Sequence, residues 1–151
     1  MTTKHILKQH NKSLLMYHLV TPVKYRRKVF TIEKEETLKQ ICLGIEERYE
    51  IHFIEIGADN DHVHFLIQSV PTIAPTKLVN TIKGIIAKKI FEKHPEIKKQ
   101  LWGGHFWTAG YYINTVGKFS NEEMMKNYIK KQGTVQNYKQ IYFNKNQLTL
   151  F

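Results

Sequence analysis

The sequence predicts an α+β fold in which helices pack on one face of an antiparallel sheet. Two observations predict it. Short runs rich in β-branched and aromatic residues alternate with longer stretches that have the 3.6-residue period of a helix. The 151 residues also contain no repeat and no Gly-, Ser- or Pro-rich linker, so they fit one domain with its own hydrophobic core.

Seven elements are predicted along the chain. In order, they are a strand at 13–21, a helix at 33–49, strands at 50–57 and 62–70, a helix from Pro75 to about 94, a strand at 105–114 and a helix at about 120–132. The sequence ADND, at 58–61, suits a hairpin turn between the second and third strands.

The first two helices are predicted by apolar residues at three- and four-residue spacing. These stripes are Leu38, Ile41, Ile45 and Tyr49 in the first helix, and Leu78, Ile82, Ile85, Ile86 and Ile90 in the second. Pro95 lies near the end of the second helix. Gly117 breaks the chain before the third helix, where Ser120 is a suitable cap and Glu123 occupies the capping-box position.

The order β-α-β-β-α-β is typical of a ferredoxin-like or RRM-like layer. The sheet face without helices is then a platform for bases or for a catalytic cluster. Residues after Gly133 form a polar tail with little periodicity. We therefore expect a domain at 1–133 and a C-terminal tail at 134–151.

The charge balance favours a polyanionic partner. Lys and Arg together number 23 against 13 acidic residues, a net charge of +10, and counterion release then favours nucleic acid. A soluble basic protein without such a partner is the alternative. The sequence shows no secretory signal or membrane span, and the single Cys42 excludes an internal disulfide. We expect a cytoplasmic protein that binds no membrane.

His62 and His64 form the first candidate site. Side chains two residues apart in a strand lie on one face, about 7 Å apart along the chain, so both imidazoles can approach one cation. Val63, Phe65 and Ile67 then face the core. Two hydrogen-bonded surface histidines are the alternative, because the pattern is short and common.

Tyr128 and Gln132 form the second candidate site. They are four residues apart in the predicted third helix and share one helical face. A tyrosine hydroxyl can attack a phosphodiester and keep the bond energy as a phosphotyrosine, and a divalent cation stabilises the charge that develops. Gln132 can add an oxygen ligand in a site for Mg²⁺ or Mn²⁺. A tyrosine packed by its ring is the alternative.

Several blocks of the chain, in order and at the expected spacing, resemble the single-tyrosine HUH (His-hydrophobe-His) transposases, the insertion-sequence two-hundred-like transposase family. The blocks are VTPVKYRRKVF (20–30), ADNDHVHFLI (58–67), PTKLVNTIKGIIAKKIF (75–91), LWGGHFWTAGYYINTVG (101–117) and NYIKKQ (127–132). Together they cover nearly the whole chain.

The resemblance implies that His62 and His64 ligate a catalytic Mg²⁺ or Mn²⁺, with Gln132 as the third protein ligand. It implies that Tyr128 is the nucleophile, which forms a 5′-phosphotyrosine and leaves a free 3′-hydroxyl. Transposases of this kind act on single-stranded DNA with imperfect hairpins near the element ends. They are homodimers with composite sites, in which the tyrosine helix of one subunit completes the histidine pair of the other, and Gly117 is the implied hinge.

Basic and aromatic residues suggest where DNA binds, because cations contact phosphates and an aromatic ring stacks on an unpaired base. The candidates are Lys24, Tyr25, Arg26, Arg27, Lys28, Lys83 and Lys88. A solvated charge run after the first strand and a basic helix face that only keeps the protein soluble are the alternatives. A patch of Trp102, His105, Phe106 and Trp107 is better explained by core packing or a dimer interface.

The end of the chain resembles the peptide by which bacterial proteins bind the replication sliding clamp. Leu148, Leu150 and Phe151 suit an apolar groove, and Gln147 suits hydrogen bonds at its edge. A frayed or self-packed terminus is the alternative.

Two further functions are compatible with part of the sequence. A non-catalytic RRM-like module would bind single-stranded nucleic acid by stacking, which explains charge and aromatics but not the four site residues. A domesticated relative would process chromosomal hairpin repeats with the same chemistry. The favoured function is metal-assisted DNA transposition.

Overall fold

The computed structural model describes residues 6–7, 12–13, 15–116 and 139–144. In these residues the strands are β1 (Ile6–Leu7), β2 (Lys12–Ser13), β3 (Leu15–Pro22), β4 (His52–Asp59), β5 (His62–Ser69), β6 (Tyr112–Val116) and β7 (Lys139–Phe143). The helices are α1 (Ile32–Arg48), α2 (Pro75–Lys93) and α3 (Ile97–Gln100), with short 3-10 turns at Lys24–Arg26 and Trp102–Gly104.

Five strands form one antiparallel sheet in the order β6-β3-β5-β4-β7. β3 and β5 are adjacent at its centre. α1 connects β3 to β4, and α2 lies between β5 and β6 in the chain, so β3 to β6 follow the β-α-β-β-α-β order. The predicted α+β fold is confirmed, and β7 adds a fifth strand beside β4. β1 and β2 pair with each other in a separate small sheet.

The hydrophobic core lies between this sheet and the two long helices. Phe65 and Ile67 of β5 are fully buried in one cluster with Leu38 of α1 and Ile82 of α2. Each such buried side chain stabilises the fold by about 1.5–3 kcal/mol. The predicted helix stripes are confirmed except at Tyr49, which follows the end of α1 and is 39% exposed.

The β4–β5 hairpin is tighter than the sequence predicted. β4 continues through Asp59, so the turn is Asn60 and Asp61 rather than the four residues ADND. Asp59 pairs with His62 across the hairpin. This register places two carboxylates beside the first histidine of the predicted pair.

The predicted strand at 105–114 is wrong for its first seven residues, since β6 begins at Tyr112. Phe106 and Trp107 are buried in the core cluster without belonging to the ladder between β3 and β6. Trp107 instead forms an isolated bridge with Val23, and its indole N–H donates to the Lys83 carbonyl at 3.0 Å. The aromatic pattern therefore comes from a loop anchored in the core.

β7 lies in the segment that the sequence presented as a polar tail with little periodicity. It is a five-residue strand with a register shift against β4, where Tyr142 pairs with Ile56 and Gln140 with Gly57. So short and irregular a strand leaves little alternation in the sequence.

The predicted third helix at 120–132, the glycine at 117 and the terminal residues 145–151 lie outside the described residues. Among the residues that are described, no helix is both long and apolar enough to cross a bilayer.

Candidate metal centre and nucleic-acid interface

His62 and His64 lie on the face of β5 that points away from α1 and α2. Val63 and Phe65, which alternate with them, are in the core beneath the helices. The two imidazole ring centres are 4.9 Å apart. The structure thus brings the predicted pair together at the turn end of β5.

His64 is fully buried beside a third histidine, His18 of β3. His18 Nε2 lies 3.3 Å from His64 Nδ1, and the two rings stack with their centres 5.5 Å apart. Burial, followed by the charges of His62 and His18, lowers the pKa of His64 to about 3. Its imidazole is therefore neutral near neutral pH, which is the form that ligates metals.

His62 is held from its other side by a carboxylate. Asp61 Oδ1 lies 2.7 Å from His62 Nδ1. The same carboxylate is bound by the guanidinium of Arg26, with Nε 3.1 Å from Oδ2 and Nη2 3.3 Å from Oδ1. Burial acts to raise the pKa of Asp61, but hydrogen bonds from His62 and Arg26 and their charges lower it overall. Asp61 is therefore an anion.

Two sets of donors around His62 are suited to a divalent cation. The first is the pair His62 and His64, whose Nδ1 atoms face Asp61 and His18 and leave Nε2 as the ligand atom of each. The second is Asp59, Asp61 and His62, whose donor atoms lie within 4.8 Å of one another. The carboxylate of Asp61 is already bound by Arg26, so the histidine pair is the better fit.

The basic segment Lys24–Lys28 borders this centre. Its ends are fixed to the hairpin turn, because Val23 N donates to Asp61 O at 2.8 Å and Val29 N donates to Asn60 O at 3.0 Å. Tyr25 is 54% exposed, and Lys24 Nζ lies 5.3 Å from the centre of its ring. Cations and a stackable ring therefore lie at the edge of the histidine face.

The two lysines predicted on α2 differ in their surroundings. Lys88 is exposed. Lys83 Nζ instead donates to the carbonyls of Thr108, Ala109 and Gly110, at 2.9, 3.4 and 3.4 Å. Burial lowers the pKa of the Lys83 ammonium. The structure thus shows Lys83 fastening the loop before β6.

Sequence reasoning missed three residues of this centre as functional candidates: His18, Asp59 and Asp61. His18 lies inside the first predicted strand, and its contact with His64 is visible only in the structure. The two acidic residues were assigned to the turn. Their position next to the His-x-His pattern is the sequence feature that could have identified them as candidates. Tyr128, Gln132 and the tail residues 147–151 lie outside the described residues.

Comparisons with known proteins identify relatives along most of the chain. The family described as "Transposase IS200 like" matches residues 11–132. The chain is 36% identical over 118 residues to the ISDra2 transposase TnpA of Deinococcus radiodurans, covering 78% of this chain and 84% of that protein. It is 30% identical over 123 residues to the transposase for insertion sequence element IS200 of Salmonella typhimurium, covering 82% and 80%.

Two solved structures share the fold. A putative transposase from Deinococcus radiodurans R1 superposes with a TM-score of 0.68 at 28% identity, over 84% of this chain and 97% of that chain. A REP-associated tyrosine transposase bound to a REP hairpin superposes with a TM-score of 0.54, over 87% of this chain and 74% of that chain. At 7% identity, the second likeness concerns the fold alone.

Proposed function

The chain belongs to the IS200-like transposase family, and from this premise we propose that it cleaves and rejoins single-stranded DNA through a metal-assisted phosphotyrosine intermediate. The observation that supports this mechanism most strongly is the pair His62 and His64, with ring centres 4.9 Å apart on one sheet face. A non-catalytic binding module would have no need of a buried, neutral imidazole beside a second histidine that is held by a carboxylate.

In the proposed reaction the hydroxyl of Tyr128 is the nucleophile. Its oxygen bonds to phosphorus, the bond from phosphorus to the 3′ oxygen breaks, and that oxygen leaves as a 3′-hydroxyl after taking up a proton. The DNA then stays attached to Tyr128 through its 5′ phosphate. Attack on this linkage by another 3′-hydroxyl rejoins the strands without a nucleotide cofactor.

His62 and His64 would hold the divalent cation through Nε2, and Gln132 through its side-chain oxygen. When bound, Mg²⁺ or Mn²⁺ withdraws charge from the phosphate oxygens. The protein's own contribution is to keep the His64 imidazole neutral and to orient the His62 ring. Burial keeps His64 neutral, and Asp61 orients the ring of His62.

The substrate we propose is single-stranded DNA that carries a hairpin. The basic segment at 24–28 would contact its phosphates, Tyr25 would stack on an unpaired base, and exposed Lys88 would contact the stem. Support comes from the exposed ring of Tyr25 beside the histidine face.

A covalent adduct tests this function. Labelled single-stranded hairpin DNA is incubated with the protein and Mn²⁺, and the products are separated on a denaturing gel. We expect a band at the mass of protein plus DNA, lost with a chelator and in Tyr128→Phe. Tyr25→Phe is the matched control, since it also removes one hydroxyl. An adduct that persists in Tyr128→Phe would show a different nucleophile.

We further propose that the working enzyme is a homodimer with composite sites.

We also propose that the tail residues 147–151 bind the sliding clamp. An extended tail with Leu148, Leu150 and Phe151 suits an apolar groove. Deletion of 147–151 should abolish clamp binding in a pull-down, and unchanged binding would end the tail proposal.

A further inference from the structure

A continuous path of contacts leads from the basic segment to the candidate metal ligand. Arg26 binds both carboxylate oxygens of Asp61, at 3.1 and 3.3 Å. Asp61 Oδ1 in turn lies 2.7 Å from Nδ1 of His62. The guanidinium fork fixes the plane of the carboxylate, as a single point charge would not.

We propose that Arg26 and Asp61 are positioning residues for metal binding by His62. Asp61 accepts a hydrogen bond from His62 Nδ1, so Nε2 keeps the lone pair that a cation requires. Arg26 holds Asp61 in the orientation that makes this bond. The inference rests on the proposed function, because it takes His62 as a metal ligand.

The carboxylate is poorly suited to ligate the cation itself. Both of its oxygens contact the Arg26 guanidinium, and one also contacts His62. A cation bound there would lie beside the fixed positive charge of Arg26 and be repelled by it. The arrangement therefore favours Asp61 as the orienting partner of His62.

The backbone of the basic segment is held in the conformation that presents Arg26 to Asp61. Tyr25 and Arg26 have φ values of 60° and 53°, the left-handed region that non-glycine residues rarely adopt. Hydrogen bonds hold this turn, since Arg26 N donates to Val23 O and Val23 N to Asp61 O. Unfavourable backbone geometry that the surrounding structure maintains often marks a functional position.

Contact with the Asp61 carboxylate distinguishes Arg26 from its neighbour Arg27. Both are exposed cations of the same basic segment. The ion pairs of the Asp61 carboxylate are formed with Arg26 and His62. Arg27 is therefore a matched control, with the same charge in the same segment.

The test measures Mn²⁺ affinity of the full-length protein without DNA, by calorimetric titration. Simple electrostatics predicts that removing a nearby cation tightens Mn²⁺ binding. If Arg26 positions Asp61 as we propose, Arg26→Gln should instead weaken Mn²⁺ binding about tenfold. Loss of a group that orients a metal-bound histidine has an effect of this size in other proteins. Arg27→Gln should show no weakening, and Arg26→Lys, which keeps the charge but loses the fork, should fall between Arg26→Gln and the native protein.

A second readout follows the histidine directly. In the metal-free protein, long-range ¹H–¹⁵N correlation spectra of labelled histidine report which ring nitrogen carries the proton. We expect His62 to be protonated at Nδ1, and Asp61→Asn to redistribute the proton towards Nε2. The same spectra show whether each variant is folded.

The proposal is overturned if Arg26→Gln binds Mn²⁺ as tightly as the native protein, or if His62 carries its proton on Nε2. Neither measurement involves DNA or Tyr128. A negative result here is therefore distinguishable from failure of the proposed strand transfer, which the covalent-adduct assay reports.

Discussion

At the scale of single residues, the candidate metal centre contains one histidine, His64, that burial keeps neutral. His64 is fully buried between His18 and His62, and its pKa of about 3 follows from desolvation and the neighbouring imidazoles. A protonated ring has no lone pair for a metal. Burial therefore keeps His64 in the neutral form that the proposed metal binding requires.

Replacement of His64 tests this role against an ordinary strand histidine. We expect His64→Ala to lower the single-turnover cleavage rate at least about 100-fold, because a metal contributes several kcal/mol to stabilising the transition state. His52→Ala is the control. His52 lies at the far end of β4, opposite Gln68, and its removal should leave the rate unchanged. Equal rates for native protein and His64→Ala would exclude a metal held by this residue.

The sequence predicted the histidine pair but not the residues that support it. Two-residue spacing in a strand is a local pattern, so His62 and His64 are found without the fold. Arg26 is 35 positions from Asp61, and His18 is 46 positions from His64. Such contacts depend on strand register and on loop conformation, which one sequence does not encode in a short pattern.

At the scale of elements, the loop between α3 and β6 is anchored from two sides. Lys83 of α2 donates to carbonyls of Thr108 to Gly110, and Trp107 donates back to the Lys83 carbonyl. These contacts satisfy polar backbone groups that a strand would have paired in the sheet. The prediction of a strand at residues 105–111 was wrong because hydrogen bonds to Lys83, and not pairing with a neighbouring strand, hold this part of the backbone.

Matched replacements of Lys83 and Lys88 test whether a lysine of α2 holds the loop before β6 or contacts DNA. We expect Lys83→Met to lower the free energy of unfolding by about 0.5–1.5 kcal/mol, since the partly buried hydrogen bond to the Thr108 carbonyl is lost. Lys88→Met should change it by no more than about 0.5 kcal/mol but reduce the salt dependence of DNA binding.

Urea unfolding and a salt titration of DNA binding distinguish the two outcomes. Unchanged stability of Lys83→Met, together with a reduced salt slope, would instead make Lys83 a phosphate contact.

At the scale of the whole molecule, the two faces of the sheet differ in what they carry. One sheet face packs against α1 and α2, and the other carries the histidines, with the basic segment at its edge. Periodicity predicted this layer and both long helices. It missed β7, because the partner that orders so short a strand, β4, lies far away in the chain.

Mixing two inactive variants tests the proposed composite site. If the tyrosine helix of one subunit completes the histidines of the other, then Tyr128→Phe mixed with His64→Ala forms heterodimers with one intact site. With free exchange of subunits, about a quarter of all sites are restored, and cleavage should recover accordingly. No recovery after verified exchange would place the tyrosine and the histidines on the same subunit.

The central claim is that one tyrosine, Tyr128, takes the 5′ phosphate of the cleaved strand. Mass spectrometry of the proteolysed covalent adduct tests it most directly, because the chain has seven other tyrosines that serve as internal controls. The account predicts a nucleotide joined through its 5′ phosphate to the peptide that contains Tyr128. A nucleotide on any other residue, or a 3′-phosphate linkage, would contradict it.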